Sequence, residues 1–136
     1  MLAHLLAAGL WLGAESPTLA ADADPVERAL KACMAKPGGD STVGMVDCLS
    51  VAIHDEDRRL NEVYQRVQHA LDPKSRELLR TAQRRWVEFR AAEDLALDGP
   101  WRDDRGSMAR VSVMSHRLSA IKERVQELSV YDAESE

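Results

Sequence analysis

Between Leu78 and Asp94 the chain reads LLRTAQRRWVEFRAAED, and this stretch constrains the fold more than any other. Leu78, Leu79, Ala82, Trp86 and Phe89 recur at intervals of three and four, the spacing of one apolar stripe on an amphipathic helix. Gln83 and Arg90 border that stripe. Upstream, the stretch from Ile53 to Leu71 answers with Ile53, Leu60, Tyr64, Val67 and Leu71. There Asp57 and Asn61 stand where the stripe should still be apolar. Two helices with polar groups interrupting their buried faces predict a shared core holding a small polar network. Arg and Asp must pair if buried, because either alone in a core is strongly destabilising. Asp57 and Arg90 are therefore expected to meet, with Asn61 and Gln83 satisfying the remaining donors and acceptors. Such a network reads as a device that fixes helix register. A guanidinium cannot act as a base at working pH, and no nucleophile accompanies the group.

Helical punctuation continues on both sides. Asp24-Pro25-Val26-Glu27 opens a short helix: Asp as N-cap, Pro at the first helical position, Glu three residues after the cap. Ala29, Leu30 and Cys33 point inward, and Pro37-Gly38-Gly39 stops the helix. The second helix is expected from about Ser41 or Thr42 to about Leu71, with Val46 and Leu49 extending its stripe. Asp72-Pro73 ends it and caps a third helix that reaches roughly Leu97. So tight a connection makes the two antiparallel neighbours. Asp98 to Gly106 (DGPWRDDRG) reads as a loop. The last helix runs from near Ser107 to about Leu128, with Met108, Val111, Ser115, Leu118, Ile121, Val125 and Leu128 inward. Residues 129–136 form a polar tail, expected to fray. Nowhere does a period of two sustain a strand. The expected fold is all-α: a short N-terminal helix stapled to a long antiparallel hairpin, plus a C-terminal helix.

Residues 1–23 stand apart from this domain. Leu5 to Ala14 (LLAAGLWLGA) is a short apolar run, followed by small residues at Ala20, Ala21 and Ala23. That is the layout of a secretory signal peptide cleaved after Ala20 or Ala23. The run is too short for a transmembrane helix, which needs roughly 20 apolar residues. Only His4 precedes it where Lys or Arg is usual, so a true start upstream of Met1 is expected. Export would place Cys33 and Cys48 in an oxidising compartment, where an even pair this close in sequence defaults to a disulfide. The bond should contribute about 3 kcal/mol by loop-entropy reasoning. Zinc is the poorer alternative, because no His or second Cys pair stands at ligand spacing.

The whole chain has 18 basic against 23 acidic residues. Removing residues 1–23 takes Glu15 and Asp22 and no basic residue, leaving 18 against 21. An acidic balance argues against nucleic acid as partner, since phosphate neutralisation dominates that binding. It suits a basic protein partner, steered by the molecule's field. After signal removal no membrane insertion is expected.

The charged run His54-Asp55-Glu56-Asp57 invites a metal, but helical neighbours point about 100° apart and do not converge on one ion. It is expected to be a solvated face. His69 falls in a last helical turn, where it complements the dipole. No Ser/His/Asp or Cys/His arrangement, phosphate-cradling Gly loop or zinc helix is present in the pattern. The chain is expected to be no enzyme and to need no cofactor or metal. Trp101, Arg102 and Arg105 are the sharper candidates. Trp and Arg are enriched at interface hot spots, and here they lie on a loop between rigid helices. The competing expectation is that Trp101 folds back over the end of the bundle.

Asp57-x-x-Leu60-Asn61-x-x-Tyr64, followed by Ala82-Gln83-Arg84-x-Trp86-x-x-Phe89-Arg90, resembles the LprI-type lysozyme-inhibitor family. Cys33, Cys48, Gly106-Ser107, Arg124 and Leu128 fall where that family places corresponding residues, so the resemblance spans about Ala29 to Leu128. It implies an exported, mostly helical, disulfide-stapled module, periplasmic or secreted. The family takes its name from a member reported to inhibit lysozyme. Leu60, Tyr64, Trp86 and Phe89 are then core motif positions, and Asp57, Asn61, Gln83 and Arg90 network positions. Members commonly carry a second Cys pair, at positions that here hold Asp94 and His116. The two are expected to lie close enough for an ion pair or hydrogen bond in its place, strengthened as His116 protonates.

Two functions follow as expectations. In the first, an exported binding protein blocks a lysozyme, whose basic surface and acidic catalytic pair suit an acidic module bearing Arg102 and Arg105. In the second, a periplasmic structural or adaptor module binds another envelope protein through its helical faces.

Overall fold

The computed structural model describes residues 24–132, in which the chain forms four α-helices and no strand. The expected signal peptide and residues 133–136 lie outside the described residues. Helix α1 is Pro25–Met34, α2 Thr42–Ala70, α3 Pro73–Leu97 and α4 Met108–Ser129, with a single 3-10 turn at Pro100–Arg102. The helix starts follow their caps. The Asp24 carboxylate accepts from the Val26 N–H at 2.8 Å, Ser41 Oγ accepts from the Gly44 N–H at 3.0 Å, and Asp72 Oδ1 accepts from Lys74 and Ser75. Each satisfies a first-turn donor that the helix itself leaves open.

The turn from α1 into α2 is tight because Gly38 adopts φ +78° and α2 begins close beneath it. A Cβ on Gly44 would collide with the Gly38 carbonyl oxygen. That close approach brings Cys33 and Cys48 together, and the two form a disulfide, with Cα atoms 5.8 Å apart.

Helix α2 packs most extensively along α4, and their shared apolar faces make two core clusters. One joins Val26 of α1 with Val46, Leu49 and Ala52 of α2 and Val111 and Leu118 of α4. The other joins Leu60, Val63 and Val67 of α2 with Leu79 of α3 and Ile121, Val125 and Leu128 of α4. Half-buried Ile53 touches both clusters; Tyr64, Leu71 and Trp86 flank the second. Helix α3 folds back antiparallel to α2. Gln68 donates to the Arg76 carbonyl near the turn, while Arg90 reaches Asp57 further along.

Helix α3 departs from expectation in its rotation. Leu79 is its one fully buried residue, whereas Leu78 and Phe89 are each 65% exposed and Ala82 is exposed. The inward face runs through Leu79, Gln83, Trp86, Arg90, Asp94 and Leu97, so the supposed border residues Gln83 and Arg90 lie along it. The placement of Phe89 in the core is thereby corrected. A face carrying Gln83 and Arg90 can still point inward, because both hydrogen-bond to neighbouring helices and the arginine's aliphatic stem covers apolar surface.

Helix α2 shows the same one-residue error. Asn61 is exposed. Glu56, at helical spacing between Ala52 and Leu60, is the polar residue that interrupts the buried face, and it is fully buried. The expectation of a solvated run from His54 to Asp57 fails at Glu56. Elsewhere, Ala29, Met108 and Ser115 are exposed, while Val26, Val63 and Val113 are buried. The expected fraying tail starts later than thought, since the Asp132 carboxylate accepts from Arg66 Nε at 2.9 Å.

Candidate functional site

The predicted polar residues fall into two pairs bridged by an indole. Arg90 donates to both oxygens of Asp57, at 2.7 and 3.3 Å. Gln83 Oε1 accepts from Arg124 Nε of α4 at 3.0 Å. Between them lies Trp86, with the Arg90 guanidinium 5.6 Å and the Arg124 guanidinium 5.9 Å from its ring centroid. At these distances the ring's negative face attracts both cations. Asn61 takes no part, so the expected four-residue cluster is replaced by the sequence Asp57–Arg90–Trp86–Arg124–Gln83. Arg124 was legible only through its family position, and nothing in the periodicity of α4 singles it out.

At the far end of α3, Arg117 of α4 acts as a clamp. Its Nε donates to Asp94 Oδ1 at 2.8 Å, and its Nη2 donates to Asp98 Oδ2 at 2.8 Å and to the Asp94 carbonyl at 3.3 Å. The hydrogen bond from Arg117 holds the Asp98 carboxyl below its usual range, with the Arg102 charge adding to the effect. The expected Asp94–His116 pair is therefore corrected by one position: Asp94 belongs to Arg117. His116, one step of 100° further round the helix, is exposed and makes no hydrogen bond or ion pair among the described residues.

A groove of about 270 Å³ opens between α3 and α4 beside this clamp. Trp86, Phe89 and Leu97 supply its apolar surface, and half-buried Glu93 and exposed His116 and Glu123 line it as well. Exposed Phe89 is thus a groove wall.

The loop after α3 is ordered by the Pro100–Arg102 turn. The Trp101 indole N–H donates to the Ala96 carbonyl at 2.7 Å, and the Arg105 guanidinium lies 5.3 Å from the indole centroid. Arg102 is turned back to Asp98 at 2.9 Å. Trp101 is 47% exposed and belongs to neither core cluster. It neither caps the bundle nor stands free: its N–H edge is anchored, Arg105 lies over the ring, and about half of the residue meets solvent.

Glu56 is the group that sequence reasoning missed. Both its oxygens lack a hydrogen bond, and Arg59 Nη1 stands 3.5 Å from Oε1. That nitrogen also donates to Asp24 at 2.6 Å, while Lys122 of α4 is engaged by Glu27 of α1. Burial pushes the Glu56 carboxyl up; Arg59 and Lys122 oppose this and Asp24 adds to it. At Asp24 burial also acts upward, but the bonds from Arg59 and the Val26 N–H prevail, and the group lies below its usual range.

Among the described residues no three His, Cys, Asp or Glu side chains are placed to hold a metal, and no helix is long and apolar enough to cross a membrane. The family described as lysozyme inhibitor LprI matches residues 33–128. No curated protein and no solved structure matches the chain.

Proposed function

The chain belongs to the lysozyme inhibitor LprI family, and from that premise we propose that it is an exported, non-enzymatic protein that binds and occludes a lysozyme. The family match over residues 33–128 carries this reading. The Trp101 turn supports it: an indole held at one edge with Arg105 stacked on its face is a pre-ordered pair of the residue types that anchor interfaces. Its acidic balance would steer it toward a basic partner. Export to the periplasm or beyond fits the Cys33–Cys48 disulfide, a bond that persists in oxidising compartments.

The oxidised protein would be titrated into a chicken-type lysozyme while cell-wall hydrolysis is followed at two salt concentrations. Saturable inhibition that weakens at high salt and on Trp101→Ala or Arg105→Ala is expected. No inhibition at either salt, from a sample with helical circular dichroism, overturns the lysozyme reading.

A second reading is favoured by one observation. Leu78, Phe89 and Leu95 leave apolar surface exposed along α3. This would suit a periplasmic adaptor whose α3 lies against another envelope protein. Pull-down that depends on Leu78 and Leu95, but not on Trp101, would favour it.

A further inference from the structure

We propose that the groove between α3 and α4 receives a lysine or arginine side chain of a basic protein partner, its stem on Trp86, Phe89 and Leu97 and its cationic head between Glu93 and Glu123. This deepens, and rests on, the reading of the chain as a protein-binding module; it adds a second contact surface to the Trp101 turn.

Most of the charges around the groove are already paired. Arg90 and Arg117 line the groove, but Asp57 neutralises the first and Asp94 the second, while Asp98 is shared between Arg117 and Arg102. Glu93 and Glu123 have no hydrogen bond or ion pair among the described residues. The edge therefore carries uncompensated negative charge beside an apolar wall. An anionic occupant would meet that charge directly. A purely apolar one would leave the carboxylates to be desolvated without a partner, which is unfavourable. A lysine or arginine matches both parts, because its methylenes lie along apolar surface while its head stays at the polar rim. The volume, about 270 Å³, admits one such side chain rather than a folded segment. Phe89 also gains a role: an aromatic ring left 65% exposed on a helix becomes covered when the groove is filled.

The test uses a small probe as well as a protein. A capped Arg-Leu dipeptide and a capped Glu-Leu dipeptide would be titrated into the oxidised 15N-labelled protein, following amide shifts, and chicken-type lysozyme binding would be measured by calorimetry in parallel. The Arg-Leu probe should shift groove residues of α3 and α4 saturably, and the Glu-Leu probe should not. Glu93→Gln with Glu123→Gln should weaken Arg-Leu binding roughly fivefold, the effect of two partly exposed ion pairs. These two carboxylates hold nothing in place, so the variant should keep its helical spectrum. Shifts that ignore the charge of the probe, or that survive the double substitution unchanged, overturn the groove proposal. Lysozyme binding with no loss in the double variant overturns it too, while leaving the protein-binding reading intact. Arg-Leu binding in the groove without lysozyme binding supports the groove and overturns lysozyme as its partner.

Discussion

Replacing Glu56 with Gln should make the protein more stable near neutral pH, because it removes a buried charge that no hydrogen bond satisfies. The ionised carboxylate is fully buried, and desolvating one such ion carries a penalty of several kcal/mol. Against this stands the Arg59 guanidinium at 3.5 Å, worth about 5 kcal/mol at an effective dielectric of about 20. That attraction must be discounted, because the Arg59 side chain is 41% exposed and its closer partner is Asp24. A net cost of roughly 1 to 2 kcal/mol remains for the charged form. Glutamine keeps the volume, and Arg59 keeps Asp24, so no charge is stranded. The expected gain at pH 8 is about 1 kcal/mol, or about 4 °C in melting temperature. Its sign with pH is fixed by the raised carboxyl. The wild-type penalty is full above the folded-state pKa and shrinks as pH falls through it toward the ordinary value of 4.5. Asp24 at the N-cap of α1, Arg59 on α2 and Lys122 on α4 act on the group, and Asp24, held below its usual range, stays ionised through that window. Thermal and urea melts of both proteins at pH 8 and pH 5 read the effect. A Gln variant less stable than wild type at pH 8, or a gain equally large at pH 5, would refute this account.

Other predictions follow from the same geometry. Leu79→Ala should destabilise the protein by about 2 to 5 kcal/mol, while Phe89→Ala should change stability by less than about 0.5 kcal/mol; equal losses in urea melts would return Phe89 to the core. Reducing Cys33–Cys48 should lower stability by about 3 kcal/mol, and amide exchange should show α1 released first. A double-mutant cycle on Asp57→Ala and Arg90→Ala should give a coupling of about 1 kcal/mol that falls with added salt. Arg117→Ala should raise amide exchange over residues 94–98. Because the depressed Asp98 carboxyl contributes above its ordinary value of 3.8 and loses that contribution as pH falls, the variant and wild type should converge in strong acid.

Helix boundaries were legible because they are written in local chemistry. Asp24-Pro25, Ser41 and Asp72-Pro73 each supply a side-chain acceptor for first-turn N–H groups, and a local signal survives without tertiary context. The rotation of each helix was less legible. On α3 the residues from Leu78 to Phe89 offer two overlapping stripes about 100° apart, one through Leu78, Ala82 and Phe89, the other through Leu79, Gln83 and Trp86. Apolarity alone favours the first. The second wins because Gln83 and Arg90 find partners on α4 and α2, information held by residues 41 and 33 positions away. Glu56 was hidden for the same reason: within HDED the identity of the buried residue depends on α1 and α4 closing over it. At the candidate site, Trp101 and Arg105 could be picked out by type, but the groove exists only where two distant segments face each other.

Helix α3 is fastened differently from the rest of the molecule. Helices α2 and α4 adhere through an apolar seam, which is non-directional and little affected by salt, whereas α3 is tied by Leu79 near one end, an indole between two guanidinium groups at its middle and the Arg117 clamp at the other. Directional ties fix angle and register sharply while resisting separation weakly. The chain therefore behaves as a stiff two-helix spine with a third helix buttoned on, and ionic strength tunes the buttons without touching the spine. A cation brought up to Asp94 or Asp98 would compete with Arg117 for them, and in that case binding would also shift the set of the helix.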